Sequence, residues 1–220
     1  KTNIWQKISH DNVLNVVEDT IGQKLTNLFL PRNSYINRVF ELELADSKKR
    51  IVVKFYRPAR WTRSMIQTEH DLLSKLAIEE LAVIQPLNFK GQTLFEFEGI
   101  FFAVFPKKGG RIMDELDKDQ WQQIGRLIGR THAISSKLEH PDRIVWRPQK
   151  ATSKHLEVLG DLKVIPQDYQ EVFFNTAKSF ISNYDSLFNK KEFILLDGDC
   201  HPGNFIYRPG EGIYIIDFDD

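Results

Sequence analysis

The residues whose types and spacing can do chemistry crowd the end of the chain. Between Phe193 and Asp220 stand Asp197, Asp199, Asn204, Asp217, Asp219 and Asp220, set around short apolar runs. Phe193-Ile194-Leu195-Leu196 reads as a buried strand opening into a polar loop over 197–204. A hairpin follows, with arms at 205–207 and 213–216 and a turn at Arg208-Pro209-Gly210-Glu211-Gly212. A hairpin folds back on itself, so it can return Asp217 to the neighbourhood of Asn204 and Asp199. Carboxylate and amide oxygens gathered in this way suit a hard cation such as magnesium.

Phosphoryl transfer needs a base at the attacking hydroxyl, a metal on the nucleotide phosphates and a fixed cation beside them. Asp199 can serve as the base, and Asn204 with Asp217 as the metal ligands. The plainer alternative is a set of Asp, Asn and Gly residues that merely form turns. Lys54, inside the strand-like Ile51-Val52-Val53-Lys54-Phe55-Tyr56, shares a face with Val52 and Tyr56. It is either a solvated strand lysine or the cation that grips phosphates. Glu69 falls in the middle of the apolar arc of a helix carrying Met65, Ile66, Leu72, Leu73 and Leu76. A carboxylate there needs a partner, because a buried unpaired charge is costly, and Lys54 is its natural complement. Otherwise Glu69 sits at the edge of the arc and reaches water. His201 beside Asp199 leaves open a His/Asp metallohydrolase site, while Cys200 reads as a small packed hydrophobe. His10, His70, His132, His140 and His155 show no ligand spacing. A G-x-S-x-G elbow, a G-x-G-x-x-G loop and a Walker A pattern are all missing from the sequence.

The elements that must position these residues fall into two regions. A helix over 10–22, with Asp11 as its cap, precedes strands at 39–44, 51–56, 82–89, 93–97 and 99–105. The first of these puts Phe40, Leu42 and Leu44 on one face and Glu41 and Glu43 on the other. Short turns, Lys90-Gly91 and Glu98-Gly99 among them, argue an antiparallel meander, interrupted by one helix over 62–77. Pro106-Lys107-Lys108-Gly109-Gly110 is a candidate hinge. Two long helices follow. In one, over 119–133, Trp121, Ile124, Leu127 and Ile128 share a face, and Gly125 and Gly129 leave room for a close neighbour. In the other, over 166–188, Tyr169, Val172, Phe173, Ala177, Phe180 and Ile181 turn inward. The expected division is an N-terminal lobe, 1–105, and a C-terminal lobe, 106–220.

Thirty basic and thirty acidic residues cancel, so no bulk charge draws the chain to nucleic acid or an anionic membrane. One cysteine excludes an intrachain disulfide. Without a signal-peptide pattern or an apolar run of membrane-spanning length, a cytoplasmic, monomeric protein is expected.

Taken together, these residues resemble the protein-kinase-like fold in its aminoglycoside phosphotransferase and choline kinase branch. Gly198-Asp199 through Asn204, then Asp217-Phe218-Asp219, match its catalytic-loop and metal motifs. The wording is similar to the bacterial stress response kinase A group. This holds at Asn33-Ser34-Tyr35, at Arg38-Val39, from Val52 to Pro58 and at Arg60-Trp61-Thr62. It holds again at Gly91-Gln92-Thr93-Leu94, at Phe102-Ala103-Val104-Phe105-Pro106, at Gly109-Gly110-Arg111 and at Gly198-Asp199-Cys200-His201. The resemblance implies an α+β two-lobed kinase fold, with an antiparallel-sheet first lobe carrying one helix and a mostly helical second lobe. It implies an ATP- and magnesium-dependent serine/threonine protein kinase linked to stress. By position, Lys54 contacts the α- and β-phosphates and Glu69 orients it. Ser34, Tyr35 and Asn37 belong to the loop that covers the nucleotide, and Phe105 to the adenine-binding hinge. Asp199 is the catalytic base, and Asn204 and Asp217 bind magnesium.

Two departures qualify the resemblance. The family's loop usually begins with His where this chain has Asp197. A second carboxylate so near Asp199 is expected to weaken the base or recruit metal, which turnover of Asp197→His checks. The family also continues past the position of Asp220 with helices that complete its second lobe. The alternatives are a small-molecule kinase of the aminoglycoside, choline or homoserine type, and a nucleotide-binding pseudokinase.

Overall fold

The structure is a computed structural model that describes residues 5–112, 115–139, 142–188 and 193–218. Asp219, Asp220 and His140 lie outside the described residues. Two compact units are present: residues 1–137 with 196–220, and residues 138–195.

The first unit opens with helix α1, His10–Ile21. Its cap is Ser9, whose hydroxyl accepts the N–H of Asn12, and not Asp11. Asp11 lies in the first turn, where a carboxylate favours the helix dipole. Gly22 ends the helix in the left-handed region at φ 68°, which a glycine adopts without a side-chain clash. Val13, Val17 and Ile21 repeat at helical spacing and are all buried.

A five-stranded antiparallel sheet follows, made of β1 (Leu25–Arg32), β2 (Arg38–Leu44), β3 (Arg50–Phe55), β4 (Phe95–Phe97) and β5 (Ile100–Pro106). Its order is β1-β2-β3-β5-β4. Glu98 and Gly99, both at positive φ, make the tight turn between β4 and β5, as the hairpin reading expects. Period-two alternation then sorts the strands. Phe40, Leu42, Ile51, Val53, Phe55, Phe102 and Val104 form one core with α1. The opposite face carries Lys54, opposite Ala103 and Val39 in the ladder. Helix α2, Arg63–Ile78, joins a second cluster, in which Ile66 and Met65 pack with Tyr56, Trp61, Leu94 and Ala103.

The stretch 82–89, expected as a strand, forms no ladder. Its hydrogen bonds are spread over different partners: Ile215 N–H donates to Ala82 O, and Leu87 N–H donates to Val104 O. The strand expected over 93–97 shortens to 95–97. Phe193 to Leu196 is not a strand either; Leu195 is buried, while Phe193 and Leu196 are exposed.

Glu41, on the polar side of β2, does not reach water and is fully buried. Arg32, Arg50 and Lys107 converge on its carboxylate from neighbouring segments. Burial alone raises its pKa, but hydrogen bonds from Arg50 and Arg32 and the charge of Lys107 outweigh that effect and hold it at about 2. Glu41→Gln should therefore cost about 2 kcal/mol at neutral pH, because three cations lose their common carboxylate. The folded pKa lies below the ordinary value of 4.5. The contribution is thus complete above about pH 4.5 and is lost as pH falls towards about 2. Thermal unfolding of both proteins at pH 7 and pH 3 checks this: the gap should narrow at pH 3, and an equal gap at both would overturn it.

The first unit continues through β6, Arg111–Ile112, and helix α3, Lys118–Ser135. Asp117 and Gln120 cap α3 reciprocally. Of its expected inward face, Ile124 is buried, Leu127 and Ile128 are half-buried, and Trp121 is exposed. Among the described residues, nothing lies within 4 Å of where a Cβ would stand at Gly125 or Gly129. The closing hairpin, β7 (Phe205–Arg208) and β8 (Gly212–Ile215), pairs with β6 in a second antiparallel sheet. Gly110 lies so close to β7 that a Cβ there would stand 2.3 Å from Ile206 and 2.8 Å from the Tyr207 carbonyl. Only glycine fits, and the 106–112 segment is thereby held against the hairpin. Lys108 reinforces it, 2.6 Å from the Glu211 carboxylate and over the Tyr214 ring.

The second unit contains a π-helical turn, Pro148–Thr152, and helices α4, Ser153–Leu162, and α5, Gln167–Tyr184. Asp185 ties its ends together, accepting from the Arg147 guanidinium and the Gln149 N–H. Periodicity located α5 but not its burial. Ile181 is buried, whereas Tyr169, Val172, Phe173 and Phe180 are exposed. So small a unit cannot cover every apolar face of an 18-residue helix.

Candidate active site

Strand β3 and the closing stretch 197–217, far apart in sequence, meet within the first unit. Strand β3 supplies Lys54, which is 7% exposed and whose ammonium contacts Asp217 Oδ1. This pair spans 163 positions of sequence, so only the tertiary fold makes it. Asp217 follows β8 with φ 66°, a left-handed conformation that Asp tolerates better than most side chains. Its carboxylate, 43% exposed, keeps access to a solvent-borne partner while it holds Lys54.

The loop over 197–204 is built around its own backbone. Asp197 Oδ1 accepts the N–H of Asp199 at 3.1 Å. His201 Nδ1 accepts the N–H of Gly203 at 3.1 Å, and a Cβ at Gly203 would stand 2.7 Å from the imidazole. A short 3-10 turn, Pro202–Asn204, then delivers Asn204 to a buried position. Asn204 Nδ2 donates to the backbone carbonyl of Asp199 at 2.9 Å. The Asn204 carbonyl in turn accepts the N–H of Ile216 at 3.0 Å, the residue before Asp217. Lys54, Asp217, Asn204 and Asp199 thus form one connected series. Two of its links use backbone atoms of Asp199 and Asn204, which leaves the Asp199 carboxylate exposed. His201 Nε2 lies 3.6 Å from Asp199 Oδ2, beyond a normal hydrogen bond.

The other expected site residues take varied positions. Glu69 is buried on α2, as its place in the apolar arc predicts. Phe105 is half-buried on β5, edge to face with His70. Ser34 Oγ accepts the Asn37 N–H, and Asn37 Oδ1 accepts the Arg57 N–H, so both hydrogen-bond to nearby backbone. Tyr35 is fully exposed. Cys200 is exposed on the loop and not packed as a small hydrophobe. Partial burial of the thiol, with the charges of Asp197 and Asp199, raises its pKa to about 11 and keeps it protonated.

Two buried titratable residues escaped the sequence reading. Glu41 followed strand alternation but sits among cations. His70 was passed over as a scattered histidine, yet it stands between Ile66 and Leu73 at i+4 and i+3 spacing, inside the apolar arc of α2.

The donor set fits a hard cation shared with phosphates. Asn204 Nδ2 is engaged by the Asp199 carbonyl, so Oδ1 is the side-chain atom of Asn204 with the chemistry to bind a cation, as the Asp217 carboxylate has. Among the described residues no three His, Cys, Asp or Glu side chains converge as a metal cage. A magnesium–nucleotide site does not need one, because phosphates and water complete the shell around one or two carboxylates. Among the described residues no helix is long and apolar enough to cross a membrane.

Stress response kinase A of Escherichia coli (strain K12) is 33% identical over 221 residues, covering 98% of this chain and 65% of that protein. The serine/threonine protein kinase RdoA of Salmonella typhimurium (strain LT2) is 35% identical over 195 residues, covering 86% of this chain and 57% of that protein. The chain therefore spans about two thirds or less of these relatives' length. Among solved structures, amicoumacin kinase hAmiN in complex with AMP-PNP, Ca2+ and Ami superposes with a TM-score of 0.77 at 21% identity, over 96% of this chain and 64% of that one. Spectinomycin phosphotransferase APH(9)-Ia gives a TM-score of 0.62 at 14% identity, over 95% of this chain and 68% of that one. Both establish the kinase-like α+β fold. The model of the phosphotransferase enzyme family matches residues 30–220, and the chain belongs to that family.

Proposed function

We propose that the whole protein is an ATP- and magnesium-dependent serine/threonine protein kinase acting in a cytoplasmic stress response. The observation that carries this is the connected series Lys54–Asp217–Asn204–Asp199, which joins a candidate phosphate cation, a candidate metal clamp and a candidate base. The name of one curated relative, the serine/threonine protein kinase RdoA, supports a protein hydroxyl as acceptor, and the name of the other, stress response kinase A, supports the stress response.

In this reading residues 1–105 form the nucleotide lobe and 106–220 the catalytic lobe. Bound magnesium–ATP supplies the transferable phosphoryl group and the metal's charge neutralisation. Lys54 holds the α- and β-phosphates, with Glu69 orienting it from α2. Asn204 Oδ1 and the Asp217 carboxylate hold the metal. Ser34, Tyr35 and Asn37 cover the nucleotide from the β1–β2 loop, and Phe105 borders the adenine. The exposed Asp199 carboxylate takes the proton of the acceptor hydroxyl, while backbone bonds keep its loop fixed.

The second reading, a small-molecule kinase, is favoured by the amicoumacin kinase likeness in fold. Incubation of the full-length protein with γ-labelled ATP and a cell extract separates the two. Label in precipitable protein, lost on phosphoserine and phosphothreonine hydrolysis, supports the proposal. Label confined to a soluble metabolite refutes it. ATP and magnesium binding without turnover makes the protein a pseudokinase.

A further inference from the structure

Behind Lys54 lies a buried chain of polar side chains that the proposed chemistry does not use. His70 is 1% exposed on α2. Its Nε2 lies 3.1 Å from the Tyr56 hydroxyl and its Nδ1 lies 2.9 Å from the Thr93 hydroxyl. Tyr56 is equally buried, and its ring centroid is 5.1 Å from Lys54 Nζ. Thr93, on the segment leading into β4, thus anchors a line running through His70 and Tyr56 to Lys54. The Lys54 charge from β3 acts on the imidazole, and Arg63 and Asp71 from its own helix share a groove with it. Burial, and then the Lys54 charge, lower the His70 pKa from 6.5 to about 4.

A neutral imidazole has one N–H and one bare nitrogen. Bonded to two hydroxyls, it donates to one and accepts from the other. This fixes both hydroxyls and the tilt of the Tyr56 ring. The ring face in turn attracts the Lys54 ammonium. Asp217 approaches that ammonium through its carboxylate, so the cation is held by an aromatic face and an anion together.

We infer that His70 is a positioning residue for Lys54, acting through Tyr56: it fixes the ring against which the phosphate-binding ammonium is held. This rests on the proposed function, in which Lys54 grips the nucleotide. A purely structural histidine in the same place would add stability and nothing else.

The test uses the full-length protein with Tyr56→Phe, His70→Leu, His70→Gln and His70→Asn. Tyr56→Phe keeps the ring and removes its tether. It and His70→Leu should each raise the KM and Kd for magnesium–ATP about five- to tenfold, with kcat changed less than about twofold. The double variant Tyr56→Phe/His70→Leu should be little worse than either single one, since both break one chain. A glutamine amide reaches the place of Nε2, so His70→Gln should recover affinity to within about twofold. His70→Asn, which reaches only the place of Nδ1, should not. Variants that melt earlier but bind magnesium–ATP as tightly as wild type would overturn the inference and leave the proposed function standing. A wild type that binds no magnesium–ATP would overturn both. Should His70→Leu fail to fold, Tyr56→Phe and the Gln/Asn pair decide alone.

Discussion

Asp199→Asn is expected to lower kcat about a thousandfold while leaving the KM for ATP within about threefold. The substitution keeps the size and shape of the side chain and removes its capacity to take a proton. The structure makes this a clean experiment. Both bonds that place the residue, from Asn204 Nδ2 to its carbonyl and from its N–H to Asp197, use the backbone and survive the change. The side chain itself is about half exposed, so stability should move by less than about 0.5 kcal/mol. Steady-state kinetics with a phosphorylatable substrate, beside a thermal melt, reads both quantities. A variant with wild-type turnover would remove Asp199 from the role of base.

Asp217→Asn should produce a loss of comparable size by a different route. Asparagine accepts the left-handed backbone at φ 66° as aspartate does, so the variant deletes a charge and not a conformation. Two consequences follow from that charge. The metal loses its carboxylate, and the magnesium concentration for half-maximal rate should rise more than about tenfold. Lys54 loses its ion-pair contact with Asp217 in a site where it is nearly buried, so its ammonium is less firmly placed on the phosphates. Together these should lower kcat/KM by about a thousandfold at cellular magnesium, with part of the rate recovered at high magnesium. Titration of activity against magnesium at fixed ATP measures this. An unchanged metal dependence would mean that Asp217 is only a structural partner of Lys54.

The elements around these residues were legible to different degrees. The strand around Phe40-Glu41-Leu42 was clear from its alternation, because a one-residue slip would expose its core face, and the strand at Ile51-Val52-Val53 was clear from its β-branched run. The tight turn at Glu98-Gly99 was equally clear from local chemistry, and the helix expected over 62–77 runs over 63–78 with Thr62 as its cap. The segments that failed depend on distant partners. Residues 82–89 carry strand-like composition, but their backbone hydrogen bonds are scattered over Ile215, Val104, Gln92 and Leu81 and never form a ladder. The apolar stripe of α5 has a helical period, yet burial depends on what is nearby to cover it, and Tyr169, Val172 and Phe180 stay exposed. Glu41 was misread for a related reason. Alternation assigns a residue to a face, whereas its burial depends on Arg32, Arg50 and Lys107 arriving from other segments.

The sequence by itself determined the candidate chemistry. Residue type and short spacing brought out Asp199, Asn204 and Asp217, because a loop and a hairpin are local structures that fold back by rules of a few residues. It also placed Glu69 inside an apolar arc and Lys54 on a defined strand face. Only the tertiary structure decided how these pieces meet. Lys54 was matched on paper with Glu69, but its contact with Asp217, on the far side of the sequence, required the closing hairpin to dock beside the sheet. The same packing put His70 under Tyr56 and so behind Lys54, a link between strand and helix that periodicity does not encode. Long-range pairing depends on how whole elements pack, and that information resides in no single stretch of the chain.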